Sequence, residues 1–231
     1  LPLQASPNAM AEALANITLD DDENRRLWCA NAKASYDASF TIAPQSGPLD
    51  MGAVLAHIRT VLPPDAIITN GAGNFAIWPN KFIKYSTDMR LLAPQSGAMG
   101  YGLPAALAAK AYDPDRFVLC FAGDGDFQMN CAELGTAMQA GLYPIVLIVN
   151  NASYGTIRMH QERNYPNRVS GTNLQNPDFV GLAKSYGFYG ERVESTDQFA
   201  AAFDRALQSK TGAILDLVVA TEAITPRQSI A

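Results

Sequence analysis

An apolar run at residues 117–122 stops at Gly123-Asp124-Gly125, and a second apolar run at 144–149 stops at Asn150-Asn151. Between them lies a helical pattern, 130–140, ended by Gly141 at a helix-stop position. Strand, helix and strand over 117–151 make one βαβ unit, whose parallel strands can sit side by side about 4.8 Å apart. Asp124 and Asn151 then emerge at the same edge of a sheet. A carboxylate and a carboxamide converging with backbone carbonyls make an all-oxygen donor set, which Mg²⁺ prefers, and Mg²⁺ keeps open positions for phosphate oxygens. That cation also accounts for an acid inside a glycine-rich strand end, where backbone N–H groups usually meet an anion. A bare carboxylate about 4 Å from a phosphate charge costs about 4 kcal/mol at an effective dielectric of about 20. A plainer reading, with Asp124 as a helix cap and the asparagines as a turn, explains each piece but leaves their pairing a coincidence.

Two further strand ends are rich in glycine. Gly71-Ala72-Gly73-Asn74-Phe75-Ala76 matches the dinucleotide fingerprint G-x-G-x-x-A after an apolar run at 66–69. The fingerprint also wants an acid at the end of the next strand; that strand, 90–93, runs into Pro94-Gln95, and Asp88 lies at its wrong end. The second is Ser96 to Gly102, which holds Gly97, Gly100 and a bulky Met99 ahead of a small-residue helix at 103–112. An isolated Met is usually core filler, yet a Met inside a glycine loop is worth following. Of the two histidines, His57 sits in an amphipathic helix pattern and reads as structural. His160 follows the asparagine pair on a helix, as a proton carrier or a surface residue. Arg158 and Arg163 on the same stretch can hold a carboxylate or solvate the helix. Cys29, Cys120 and Cys131 have no metal-ligand spacing and read as free thiols.

The elements that must position these residues alternate along the chain. Apolar β-rich runs at 66–69, 90–93, 117–122, 144–150, 189–193 and 213–219 are separated by helix-length segments. This implies a doubly wound α/β fold: a parallel sheet with helices on both faces and ligands beyond the carboxyl ends of its strands. Residues 1–48 differ. Two helical patterns, 7–17 and 23–38, flank an acidic Asp20-Asp21-Asp22-Glu23 run that reads as a helix start, and a Pro/Gly/Ser stretch at 44–48 looks like a linker. The expected division is therefore a helical tail over 1–48 and a domain over 49–231. With 17 Lys+Arg against 22 Asp+Glu, the net charge is −5 and no basic stripe suits nucleic acid. The longest strongly apolar stretch, 145–149, is too short to span a membrane, and the first residues lack signal-peptide regions. A soluble, cytoplasmic protein is expected. Leu1 in place of an initiator Met suggests a piece of a longer chain.

The GDG at 123–125 followed by NN at 150–151 resembles the signature of thiamine diphosphate enzymes. Three ordered segments, 69–78, 96–110 and 150–158, resemble the acetolactate synthase and benzoylformate decarboxylase branch, and the likeness covers about 49–219. The resemblance implies that Asp124 and Asn151 bind Mg²⁺ by side chain and Ser153 by its carbonyl. It implies that Asn74, Phe75, Gly123, Gly125 and Asp126 contact the diphosphate. By the same likeness, the Gly97 carbonyl accepts a hydrogen bond from the aminopyrimidine, and Met99 supports the bent cofactor. The activating glutamate would come from a pyrimidine-binding domain, usually on another subunit of a homodimer or homotetramer, and FAD is possible in a central domain. The chain would then be the C-terminal third of an enzyme cleaving or forming C–C bonds next to the carbonyl of a 2-keto acid, and catalytically silent alone. A 2-hydroxyacyl-CoA lyase or oxalyl-CoA decarboxylase of the same family is a near alternative. A Rossmann-type oxidoreductase using the 71–76 glycines is another. Acetolactate synthases usually carry a tryptophan where His160 stands, a departure at the position that helps choose the second keto acid.

Overall fold

A computed structural model describes residues 2–19, 22–226 and 228–229, and the chain divides into two compact units, 1–41 and 42–231. The first unit holds α1 (Pro7–Ala15) and α2 (Glu23–Ala38). Ser6 accepts a hydrogen bond from the Ala9 N–H at 3.2 Å to cap α1, and Asp22 accepts one from Asn24 at 2.9 Å to cap α2. So the acidic run does start a helix through Asp22; Asp20 and Asp21 lie outside the described residues. Neither helix buries a residue, and Leu27 and Trp28 are exposed.

The second unit runs α3 (Met51–Val61), β1 (Ile67–Asn70), a 3-10 turn (Asn74–Ala76), α4 (Ile77–Phe82), β2 (Arg90–Leu92) and α5 (Gly102–Tyr112). It continues with β3 (Val118–Gly123), α6 (Asp124–Gln128), α7 (Glu133–Ala140), β4 (Ile145–Asn150), α8 (Gly155–Asn164) and α9 (Phe179–Ser185). Then come β5 (Tyr189–Val193), α10 (Thr196–Gln208), β6 (Ala213–Val218), β7 (Ala223–Thr225) and β8 (Gln228–Ser229). Residues 42–48 belong to this unit: the Gln45 N–H donates to Asp50 at 3.1 Å and the Thr196 N–H to the Pro48 carbonyl at 3.0 Å.

Six strands form a parallel sheet in the order β2-β1-β3-β4-β6-β5. β3, β4 and nearly all of β6 are buried, because helices cover both faces and apolar side chains are needed on each. On one face Cys120, Ala122, Val146, Ile148 and Ile214 pack with Leu103, Ala106 and Leu107 of α5, Leu134 of α7 and Phe179 and Ala183 of α9. By the strand pleat, the alternate residues Leu119, Phe121, Leu147 and Leu215 point to the opposite face and are buried too. α10 packs on β5, β6 and α3 and contributes buried Phe199 and Phe203. Burying a side chain of this size contributes about 1.5–3 kcal/mol.

Two details depart from the sequence pattern. The helix expected over 130–140 begins at Glu133, and the glycine-rich strand end itself winds into the five-residue α6. Gly141 stops α7 with φ +67°, as its position predicts. The antiparallel hairpin of β7 and β8 had no alternating pattern to announce it. Among the described residues no helix is long and apolar enough to cross a membrane.

Candidate functional site

Parallel register sets the site. Gly123 pairs with Val149 and Asn150 with Val218, so β3, β4 and β6 all end at one rim. A cavity of about 250 Å³ opens there. The turn after β1 lines it through Gly73, Asn74 and Phe75, and the loop after β2 through Gly97 and Met99. Gly123, Asp124, Gly125 and Asp126 follow from β3, and Asn151 and Ser153 from β4. The first turn of α8 and Ile224 of β7 close the remaining sides. Of the residues that the resemblance assigned to the cofactor or the cation, every one lies on this wall; His160 does not and is exposed on α8.

Asp124 is 3% exposed, so its carboxylate needs donors. Oδ1 accepts from the Gly125 N–H at 3.0 Å and Oδ2 from Asn176 Nδ2 at 2.7 Å. Burial raises its carboxyl above the usual range, and the Asn176 bond pulls it back. Asn151 Oδ1 accepts from the Ser153 N–H at 3.1 Å. The Ser153 hydroxyl donates to the Thr172 carbonyl at 3.1 Å, and its own carbonyl accepts from Gly155 at 2.8 Å. Each of these oxygens retains a lone pair beyond the bond it makes.

Between Asn151 and Ser153 the chain turns sharply at Ala152, whose φ is +53°, a left-handed value that costs an alanine about 1–2 kcal/mol. Two bonds hold the turn: Asn150 Oδ1 accepts from the Ala152 N–H at 3.2 Å, and the Ala152 carbonyl accepts from Leu174 at 2.8 Å. Strain concentrated beside a cavity is a common mark of a functional turn.

Asp126 does a different job. It is 2% exposed, and its Oδ1 accepts from Gly100 at 2.7 Å and Ala72 at 3.1 Å, tying the loops after β2 and β1 to the turn after β3. Its Oδ2 is buried without a partner, and burial pushes the carboxyl up to about 6. Two of the N–H groups aimed by sequence at a phosphate have partners within the chain. Gly125 donates to Asp124, and Asn74 donates to Thr156 Oγ1 at 3.0 Å. The glycines themselves are explained by aromatic rings. A Cβ on Gly123 would lie 2.8 Å from the Phe75 ring, and one on Gly125 2.5 Å from Tyr154. Gly97, at φ +68°, has open space where a side chain would point, and Met99 is half-buried beside it.

The dinucleotide-like segment enters only a three-residue 3-10 turn and the six-residue α4, rather than one long helix whose first turn faces the strand end. His57 is a packed ring, edge-on to Phe199 and Phe203 at 5.7 and 6.3 Å. Arg158 lies 4.0 Å from Glu162 on its own helix. All three cysteines are free, and burial pushes the Cys120 thiol up to about 12.

Among the described residues no three His, Cys, Asp or Glu side chains cluster as a self-sufficient metal site. One carboxylate with one carboxamide and a carbonyl suits a hard cation that takes its remaining ligands from phosphate oxygens. Sequence reasoning missed Asn176, Tyr154, Thr156 and Ile224. Asn176 sits in an irregular stretch whose only signal is the Asn-Pro-Asp before α9.

Comparison with known proteins fits this geometry. Residues 71–217 match the family described as "Thiamine pyrophosphate enzyme, C-terminal TPP binding domain". The chain belongs to the thiamine pyrophosphate enzyme family, as its C-terminal cofactor-binding domain. It is 37% identical over 182 residues to an acetolactate synthase large subunit of Parasynechococcus marenigrum, covering 78% of this chain and 29% of that protein. It is 35% identical over 158 residues to the acetolactate synthase isozyme 2 large subunit of Escherichia coli, covering 68% and 29%. The Corynebacterium glutamicum large subunit is 35% identical over 177 residues, covering 74% and 28%. The chain thus spans less than a third of the length of these relatives.

Proposed function

We propose that this chain is the diphosphate- and Mg²⁺-gripping domain of an enzyme that cleaves or forms a C–C bond next to the carbonyl of a 2-keto acid. The observation that carries the reading is the shared rim: Asp124 and Asn151, from neighbouring parallel strands, open onto one cavity walled by glycine-rich turns. The donor chemistry fits, since a carboxylate, a carboxamide and a backbone carbonyl offer oxygen donors, and a single carboxylate would leave the ion charge for a diphosphate. When bound, thiamine diphosphate supplies the electron sink for bond cleavage or formation at the carbonyl carbon.

The protein's residues supply position. Asp124, Asn151 and the Ser153 carbonyl hold the cation. The turns at Asn74–Phe75 and Gly123–Asp126 surround the diphosphate, with Asp126 acting through the two loops it ties. The Gly97 carbonyl would accept a hydrogen bond from the aminopyrimidine, and Met99 would supply a bulky apolar support for the cofactor. Val219, Ala223 and Ile224 on the far wall exclude water. The helices within residues 1–41 are the end of a preceding domain, and the activating glutamate belongs to a pyrimidine-binding domain elsewhere in a homo-oligomer. The relatives named as acetolactate synthases favour a keto acid over an acyl-CoA as substrate.

Calorimetry tests this. The chain should bind thiamine diphosphate only with Mg²⁺, and Asp124→Ala should remove that binding. Tight NAD binding with no response to thiamine diphosphate and Mg²⁺ would overturn it. Turnover of a 2-keto acid by the isolated chain would contradict the assignment of half an active site.

A further inference from the structure

From the surface ion pair at β5 to the acid at the cavity runs a continuous line of polar side chains through the buried sheet edge. Arg192, half-exposed, donates to Asp216 Oδ2 at 3.0 Å. Asp216 is 1% exposed and stands in the middle of the otherwise apolar β6. Its Oδ1 accepts from Asn150 Nδ2 at 2.9 Å. Asn150 Oδ1 in turn accepts from Asn176 Nδ2 at 2.9 Å, and the same amide nitrogen donates to Asp124 Oδ2 at 2.7 Å. Gln128 Nε2 donates to Asn176 Oδ1 at 3.0 Å.

The direction of every bond in this line is dictated. A buried carboxylate accepts only, so Asp216 forces the amide nitrogen of Asn150 toward itself and the Asn150 oxygen toward Asn176. Two oxygens then face Asn176, which must present both of its N–H donors. Its flipped form would put oxygen against the Asp124 carboxylate. Gln128 satisfies the remaining Asn176 oxygen, so no member is left half-paired. The line passes along one face of the sheet, since Ile148, Asn150, Ile214 and Asp216 share the pleat that α9 covers. A charge buried on that face is expensive, and nothing in the packing of β6 requires one.

We infer that Asn176 and Asp216, joined through Asn150, are positioning residues that fix the rotation of the Asp124 carboxylate toward the cation. The inference rests on the proposed role of Asp124 as a metal-holding group. Without Asn176, Asp124 loses its side-chain donor and the carboxylate is freer to turn about its Cβ–Cγ bond. Without the charge at Asp216, the Asn150 amide keeps only the Ala152 N–H to orient its oxygen, and its hold on Asn176 loosens. Gln128, exposed on α6, is the outermost member, and its removal frees Asn176 without touching the core.

The test uses the full chain with thiamine diphosphate and Mn²⁺ as the probe, reading affinity by calorimetry and the bound ion by its electron paramagnetic resonance spectrum. Asn176→Leu, which keeps the shape and removes the donors, should weaken Mn²⁺ about 10–100-fold, the effect typical of residues that orient a metal ligand. Gln128→Ala, at an exposed site, should weaken it by about three- to tenfold. Asp216→Asn should fall between them, and all three should change the spectrum of the bound ion. Variants that melt lower yet bind Mn²⁺ with the parent affinity and spectrum would make the network merely structural and overturn the inference. If the parent chain shows no saturable Mn²⁺ binding with thiamine diphosphate, the metal role of Asp124 falls first and takes the inference with it.

Discussion

Two acids stand two residues apart on the same short helix, and their surroundings give them opposite tasks. Asp124 lines the cavity with each oxygen lightly held, by Gly125 and by Asn176, so lone pairs remain for a ligand. Asp126 aims its carboxylate at the loops that hold Ala72 and Gly100 and leaves one oxygen buried with no partner. Positions i and i+2 of a helix face away from each other, so one turn serves ligand and scaffold together. The difference teaches that a tripeptide followed by a second acid can divide two placements within one loop: the first acid faces the cavity, the other closes the walls around it.

Substitution should separate these tasks cleanly. Asp124→Ala should weaken Mg²⁺-dependent thiamine diphosphate binding by at least about 100-fold while the melting temperature falls less than in Asp126→Ala, because a direct ligand would matter more than the residues orienting it. Asp126→Ala should do the reverse, lowering stability by roughly 2 kcal/mol or more in denaturant titration as two backbone N–H groups lose their acceptor. Equal effects of both variants on both readouts would erase the distinction.

Acidity sharpens it further. The Asp126 carboxyl titrates at about 6 in the folded chain against an ordinary 3.8. Between those values the folded state keeps a proton that the unfolded chain has released, so its contribution to stability is full below about pH 4 and is lost as pH rises through about 6. At 1.36 kcal/mol per pKa unit, this amounts to roughly 3 kcal/mol at most. Asp124 and Asp216 shift in the same direction. Urea titrations of the chain without added metal should therefore show stability falling from pH 4 to pH 7. Asp126→Asn should flatten that slope, and an unchanged slope would show that its carboxyl is not the group responsible.

Much of this was legible in the sequence, for physical reasons. The inner strands β1, β3, β4 and β6 are mostly apolar runs because a covered parallel sheet demands them, and Gly141 and the capping residues mark helix ends locally. Asp124 and Asn151 could be paired because one βαβ unit fixes their relative placement. Asn176 could not, because it reaches Asp124 from an irregular stretch 52 positions away, where no periodicity dictates a side chain's direction. Asp216 was readable in principle as an acid inside an apolar strand. The orientation of Asp126 was hidden, since only the assembled loops show which face of a five-residue helix looks inward. His160, chosen for its chemistry and spacing, faces solvent on α8.

A smaller effect bears on the turn between Asn151 and Ser153, the two proposed metal-holding residues that follow β4. Ala152 holds φ +53°, so Ala152→Gly should raise stability by up to about 1 kcal/mol and leave cofactor binding intact. A loss of stability there would mean that the two hydrogen bonds, rather than the backbone strain, dominate the turn.

The proposed shared cation is the point on which the rest turns, and Mn²⁺ would make it visible. Crystals of the chain grown with thiamine diphosphate and Mn²⁺ should show one anomalous peak within about 2.5 Å of an Asp124 carboxylate oxygen and the Asn151 carboxamide oxygen, capped by diphosphate oxygens. A peak that contacts neither side chain, with the diphosphate held elsewhere, would contradict the account.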